Sequence, residues 1–445
     1  MKDISAAVEK YRELILQAER QIWSHPETGY REIKTSAYMA EMFREMGYEL
    51  TMAENIPGFY TVVDTGRPGP QVLVLAELDS VICPTHPAAD PDTGAVHACG
   101  HHAQCAAMLG IAGALRDPAV LKKLCGKIRL CAVPAEELLE IEYRSELKRQ
   151  GVIKYFGGKS EFLHRGYFDG VDLALMVHTS GRFYVGAGSN GCITKRITYK
   201  GKAAHAGAAP HLGNNALYAA TCGMNAVNAI RETFVDENHV RFHPIVTHGG
   251  DIVNGIPATV RMESYVRGKT FEAILDANKK VNRALIGAAL SLGTNVEIED
   301  APGYSPEIND PGMIRLVRDA AALAIPEQTL GVAETVFGKG STDMGDLSCI
   351  MPTVQPYAGG SKGTGHGSDF YIADPDAACV QSAKWQLAML LLLLENNALR
   401  AKQILADFTP KFASKEEFLQ FEDSLNREGD CILYRKDGSA EIRPV

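Results

Sequence analysis

Long apolar runs are missing from this chain of 445 residues. The longest, Leu387 to Leu394, is about half of the roughly 20 residues that a membrane-spanning helix needs. Met1 to Gln17 carries charges throughout, so neither a membrane helix nor a signal peptide is expected. Basic clusters are also missing. With 54 Asp plus Glu against 45 Lys plus Arg, the net charge is -9, and an acidic chain without basic patches is repelled by phosphate backbones. Nucleic acid and membrane are therefore not expected as partners, and a small molecule is. Cysteines are sparse, 10 in all, and lie in apolar stretches such as Leu130-Cys131-Ala132, where a thiol behaves as a small apolar side chain. A disulfide scaffold is excluded and a reducing, cytoplasmic location is expected. Internal repeats and low-complexity tracts are absent too.

What is present is an ordinary globular composition, 46% hydrophobic and 22% charged, long enough for two or three domains at roughly 100 to 200 residues each. Residues 10 to 46 have helical periodicity interrupted at His25-Pro26-Glu27-Thr28-Gly29. Gln71 to Ala76, Lys127 to Val133 and Asp172 to Val177 read as buried parallel strands, with helical stretches such as Ala103 to Leu115 between them. This alternation predicts an α/β fold with a doubly wound, mostly parallel sheet.

After Gly191 the pattern changes. Ile193 to Lys200, Val240 to His248, Ala258 to Arg267 and Asn295 to Glu299 read as strands, with helices over Asn215 to Phe234 and Phe271 to Leu292. The order βαββαβ is that of a ferredoxin-like insert. The expected division is 1–191 and 304–409 for the two parts of a catalytic domain, 192–303 for the inserted domain and 410–445 for a polar extension on the surface. Val332 to Phe337, Pro352 to Tyr357 and the helix Ala378 to Glu395 fall in the second part of the catalytic domain.

In an open parallel sheet, ligands bind beyond the carboxyl ends of the strands. Here those ends carry Glu77 and Asp79, then Pro134-Ala135-Glu136-Glu137, then His178, and finally the loop Gly359 to Gly367 with His366. Ala98-Cys99-Gly100-His101-His102 opens a helix between the first two strands. Taken singly, each is ordinary: Glu-Glu pairs are usually solvated, and Cys-x-His or a lone core histidine is unremarkable. Carboxylate, thiol and imidazole collected at four strand ends point instead to a transition-metal site.

Six stretches carry a family resemblance: Ile22-Trp23-Ser24-His25-Pro26-Glu27-Thr28, His97 to His102, Pro134 to Glu137, Gly201-Lys202-Ala203-Ala204-His205-Ala206 with Pro210-His211-Leu212-Gly213, Asn254 with Ile256-Pro257, and Gly340 to Asp346. The chain resembles the co-catalytic metallopeptidases of the aminoacylase and glutamate carboxypeptidase family. Within that family it resembles the amidohydrolase branch of indole-acetyl-amino-acid hydrolases and p-aminobenzoyl-glutamate hydrolase.

The resemblance implies two divalent ions per chain, zinc or manganese, with Cys99 bridging, His101 and His178 completing one site and Glu137 and His366 the other. It makes Glu136 the general base on metal-bound water and adds Asp79 to the catalytic set. His205 would stabilise the oxyanion in the partner subunit of a homodimer, and Asn254 and Arg267 would bind the substrate. An arginine suits a carboxylate because it donates two parallel hydrogen bonds. The expected reaction is hydrolysis of the amide of an N-acyl or N-aroyl amino acid. The alternatives are a dipeptidase or carboxypeptidase of the same family, or a catalytically silent metal- or ligand-binding relative. A closed structural zinc site is disfavoured because only one cysteine lies in the cluster.

The chain departs from the family pattern in three places. Glu77 stands two residues before Asp79, where many relatives have a metal-binding histidine, and His102 stands where they have Asp or Asn. The glycine-rich segment expected after Glu137 is replaced by Leu138-Leu139-Glu140-Ile141-Glu142 and a charged stretch reaching Lys159, so that Glu140 or Glu142 could add charge to the acyl side.

Overall fold

Strand Gln71–Glu77 is buried along its whole length, as a continuous apolar run must be in a sheet covered on both faces. Side chains alternate across a strand, so Val72, Val74 and Ala76 enter one core while Leu73 and Leu75 enter another. The first core is closed by helices Arg12–Trp23, His101–Leu115 and Ser382–Leu394. The second is closed by Gly158–His164, Met344–Ser348 and Lys415–Ser424. The computed structural model describes residues 2–443. Met1, Pro444 and Val445, at the outer ends of the expected first and last segments, lie outside it.

The central sheet has six strands in the order Thr51–Met52, Phe59–Asp64, Lys127–Val133, Gln71–Glu77, Leu173–Leu175, Thr353–Val354. The last four are mutually parallel and the first two are antiparallel additions. Four carboxyl ends therefore open on the same edge. The expected mixed α/β architecture with a mostly parallel sheet is what the chain forms.

A second sheet begins at Gly191–Lys200, which pairs antiparallel with Thr259–Gly268 on one side and Asn295–Tyr304 on the other. Arg241–Phe242 and Ile245–His248 pair with Thr259–Gly268. Helices Ala216–Ala229 and Phe271–Ser291 supply the apolar faces that pack with this sheet. Asn215 caps the first through Leu217 N and Tyr218 N, and Thr270 caps the second through Ala273 N. The polar C-terminal stretch does more than cover the surface: Arg427–Asp430 adds a strand to the edge of Asn295–Tyr304, leaving that edge paired within the chain.

Two details differ from the sequence expectation. Val332 to Phe337 belongs to strand Gly331–Gly338 of a third, small sheet, parallel to Tyr184–Ser189 rather than in the central one. The helical stretch Asp376–Leu394 is 19 residues long and apolar enough to cross a membrane by length and composition, because Ala377 to Ala383 are uncharged and Lys384 is the one charge between them and Leu394. It is 83% buried against the rest of the fold, as a core helix is.

Candidate metal centre and its cavity

The turn after strand Lys127–Val133 is strained: Ala135 has φ 59, a left-handed conformation that a Cβ makes costly and that persists only when neighbours enforce it. Glu32 Oε1 accepts from Ala135 N at 2.7 Å, and the buried Arg144 guanidinium donates to the carbonyls of Ala135, Phe156 and Glu137. The two glutamates that follow are thereby given different neighbours. Glu136 Oε2 lies 3.9 Å from His101 Nε2, whereas Glu137 Oε1 lies 3.0 Å from His366 Nε2.

Gly100 performs the equivalent service for Cys99 and His101. Its φ is 91, and a Cβ there would lie 2.9 Å from Thr179 Cβ, so only glycine lets the chain turn this close before helix His101–Leu115. Cys99 Sγ is 3.5 Å from His178 Nε2. His101 Nδ1 is 3.1 Å from Asp79 Oδ1, which fixes the tautomer and leaves Nε2 as the ligand atom. Asp79 Oδ2 also accepts from Glu137 N at 2.8 Å, tying the first two strand ends together.

Three groups of ligand-type atoms, each lying within 4.8 Å of one another, result: Cys99/His101/His178, Cys99/Glu137/His366 and Glu77/His101/Glu136. The first two share Cys99. In the third, Glu77 is already neutralised by the fully buried Lys159 ammonium, 2.5 Å from its Oε1, which also pairs with Asp343. The donor set fits a metal: the close neighbours of buried His101 Nε2 and Glu137 Oε1 are themselves ligand-type side chains, Glu77 and Glu136 for the first and His366 for the second, and thiolate, imidazole and carboxylate together suit first-row divalent ions.

The electrostatics divide the two glutamates further. Burial, followed by the charges of Glu77 and Glu137, pushes the Glu136 carboxyl well above the usual range. Burial acts the same way on Glu137 but is outweighed by His366 and His101, which hold it at about 2. Cys99 is also raised by burial, yet His101 and His178 bring it down to about 6. One carboxyl is thus kept as an anion and its neighbour as a proton acceptor of raised basicity.

These groups open on a cavity of about 500 Å³ whose wall includes Cys99, Glu136, Glu137, His178, His366 and Arg267. Arg267 Nη1 donates to Ser341 Oγ at 2.8 Å. Glu140 and Glu142 are not in that wall. Glu140 is held by Thr28 and Arg31, and Glu142 lies beside Arg261. His205 and Asn254 are exposed on adjoining loops of the second sheet, outside this cavity. Gly207 N and Ala208 N donate to His205 Nδ1, and Ala206 N donates to Asn254 O.

Residues 73–391, well over half the chain, match the description "Peptidase family M20/M25/M40". The chain belongs to this family. As an M20/M25/M40 member it is a metal-dependent hydrolase of amide bonds. It is 27% identical to the mouse (Mus musculus) Xaa-Arg dipeptidase over 371 residues, covering 76% of this chain and 74% of that protein. It is 28% identical to a p-aminobenzoyl-glutamate hydrolase polypeptide of Escherichia coli over 310 residues, covering 66% of this chain and 59% of the relative. Its fold is that of a dinuclear metal-binding M20 peptidase from Bacillus subtilis, with a TM-score of 0.62 at 20% identity, covering 87% of this chain and 99% of the other.

Four residues that hold this M20 centre in place were not singled out in the sequence: Glu32, Arg144, Lys159 and Asp343. The last two had a signal. Asp343 lies in the Gly340 to Asp346 motif, and Lys159 follows Gly157-Gly158. A Cβ on Gly158 would lie 1.6 Å from Pro134 O, so this glycine pair packs directly on the carboxylate turn. Between Glu137 and this glycine pair lies the charged stretch that forms helix Ile141–Arg149.

Proposed function

We propose that the protein is a two-metal amidohydrolase that cleaves an N-acyl or N-aroyl amino acid, p-aminobenzoyl-glutamate-like in form, at its amide bond. One observation carries this reading: Cys99 is shared by two ligand groups, and Glu136 stands beside both while belonging to neither. Ions held by Cys99, His101 and His178, and by Cys99, Glu137 and His366, would when bound polarise the amide carbonyl and acidify water. Zinc and manganese both suit this set.

The chain's own residues supply the rest. Glu136 takes the proton of the attacking water and delivers it to the leaving nitrogen as the C–N bond breaks, giving a carboxylic acid and a free amino acid. Asp79 keeps His101 in the tautomer that presents Nε2. Arg267, in the cavity wall, offers its fork to the free carboxylate.

His205 and Asn254 are assigned to the partner's site in a homodimer. Their exposure outside the cavity of their own chain supports this, as do the exposed Ile245, Ile252 and Val253 near them. The unit from about 192 to 303 is assigned as a ferredoxin-like lid and dimerisation domain inserted between 1–191 and 304–409, followed by the extension 410–445. Its strand order and two helices support the assignment. With one edge covered by Arg427–Asp430, the edge left for pairing is that of Arg241–Phe242 and Ile245–His248. Ten thiols without a disulfide support a cytoplasmic location.

A dipeptidase is the second reading, favoured by the likeness to the mouse Xaa-Arg dipeptidase. Metal-loaded protein incubated with a panel of acetyl-amino acids, aroyl-amino acids and dipeptides separates the two by which amide releases an amino acid. Absence of release from every compound would leave the silent-relative reading instead.

A further inference from the structure

One carboxylate in the cavity wall has an oxygen that the protein does not use. Glu307, 2% exposed, is carried by the short strand Glu307–Ile308, which runs antiparallel to Tyr184–Ser189 with Glu307 opposite Ser189. Ser189 Oγ donates to Oε2 at 2.9 Å. Oε1 is buried and, among the described residues, receives no hydrogen bond.

Among the described residues, none of the neighbouring wall groups supplies the missing donor to Oε1. Asn309 Nδ2 donates to Gly186 O at 3.0 Å, and Asn309 Oδ1 accepts from Gln355 N. Gln355 Nε2 faces the Tyr357 hydroxyl at 3.4 Å, while Gln355 Oε1 is itself buried without a donor. Among the described residues no cation pairs with Glu307; His178 and Lys159 act on it only at a distance. Burial accordingly pushes its carboxyl up to about 7, with Ser189 opposing. Buried acceptors are normally paired, and a native exception calls for an explanation.

The position of the group suggests one. Ser189 is in register with Gly338 of the adjoining strand, and three residues farther along the chain Ser341 accepts from Arg267. Glu307 and Arg267 thus flank one side of the cavity, one an unsatisfied acceptor and the other a carboxylate-binding donor. Both residues line the same cavity, so an amino acid held there by its α-carboxylate on Arg267 would share that space with Glu307. We propose that Glu307 is a specificity-determining residue that receives the cationic side chain of the leaving amino acid, so that the preferred substrates are amides of lysine, ornithine or arginine. This rests on the hydrolase reading above, with a cationic amino acid in place of the glutamate of a p-aminobenzoyl-glutamate-like substrate.

The experiment compares Nα-acetyl-L-lysine, N-acetyl-L-norleucine, which has the same chain length without the charge, and N-acetyl-L-glutamate on the metal-loaded enzyme. In the parent, kcat/KM for the lysine compound should exceed that for norleucine by at least about tenfold, since a site built around a buried polar group discriminates against the analogue that leaves it unpaired. In Glu307→Gln the ratio should fall to about one, and Glu307→Asp, which keeps the charge, should retain part of it. Equal rates in the parent, a preference for N-acetyl-L-glutamate, or a lysine preference unchanged in Glu307→Gln overturns the proposal; the parent ratio decides alone if the variants do not fold. If no compound is hydrolysed, it is the hydrolase reading that fails. Calorimetric binding of free L-lysine against L-norleucine then decides the role of Glu307, with tighter lysine binding in its favour and equal binding against it.

Discussion

Glu307→Gln should stabilise the ligand-free protein at pH 8 far more than at pH 5. Burial raises this carboxyl from an ordinary 4.5 to about 7, and each unit corresponds to about 1.4 kcal/mol. A carboxyl that holds its proton more tightly when folded contributes fully below the unfolded value and loses that contribution as pH rises toward the folded one. The parent should therefore lose about 2–3 kcal/mol of stability between pH 5 and pH 8 that the amide variant, having nothing to titrate there, keeps. The protonated acid and the amide are nearly isosteric, so at pH 5 the two chains should unfold at similar denaturant concentrations. Urea unfolding of both proteins, at equal metal load and without amines, measures the difference at each pH. Saturating L-lysine should shrink it at pH 8. A difference between variant and parent that stays constant from pH 5 to pH 8 would refute the claim that this carboxylate is buried without a counter-charge.

Further expectations concern the metal centre and its supports. Glu136→Gln should lower turnover by about a hundredfold to ten-thousandfold with metal content unchanged, whereas Glu137→Gln should lower metal content itself; metal analysis beside kinetics tells the two apart. Lys159→Met leaves Glu77 and Asp343 buried without their cation and should cost about 3–5 kcal/mol. A loss under about 1 kcal/mol in urea unfolding would show that the three charges are not held as a unit. Re-equilibrated mixtures of inactive Glu136→Gln and His205→Ala chains should regain activity, because a mixed dimer contains one intact site. If light scattering shows dimers and no activity returns, the role of His205 across the interface is wrong.

The parallel strands were legible because Gln71–Glu77 and Lys127–Val133 are short apolar runs followed at once by polar residues, a pattern that the physics of a doubly covered sheet imposes. The same logic located Asp79, Glu136, Glu137 and His178 before any contact was known. His366 and Cys99 were legible from the loops that carry them, and the structure brings both beside Glu137. What the sequence did not disclose were partnerships across long separations. Lys159 meets Glu77 over 82 positions and Asp343 over 184, and such pairs leave no local periodicity. Arg144 lies in the charged stretch that ends at Lys159, yet it is buried because three carbonyls claim its guanidinium. Glu307 was silent for the same reason: a lone acid in a two-residue strand gives no sign of burial until Ser189 and Tyr357 are folded around it.

The central claim, that two ions held around Cys99 enable amide hydrolysis, is tested most directly by titrating metal back into chelated protein while following release of the amino acid from an acyl-amino acid. Activity should be lost with the metal and should return as zinc or manganese is restored, saturating at two ions per chain, and Cys99→Ala should impair occupancy of both positions. Undiminished hydrolysis by protein verified to be free of metal would contradict the account.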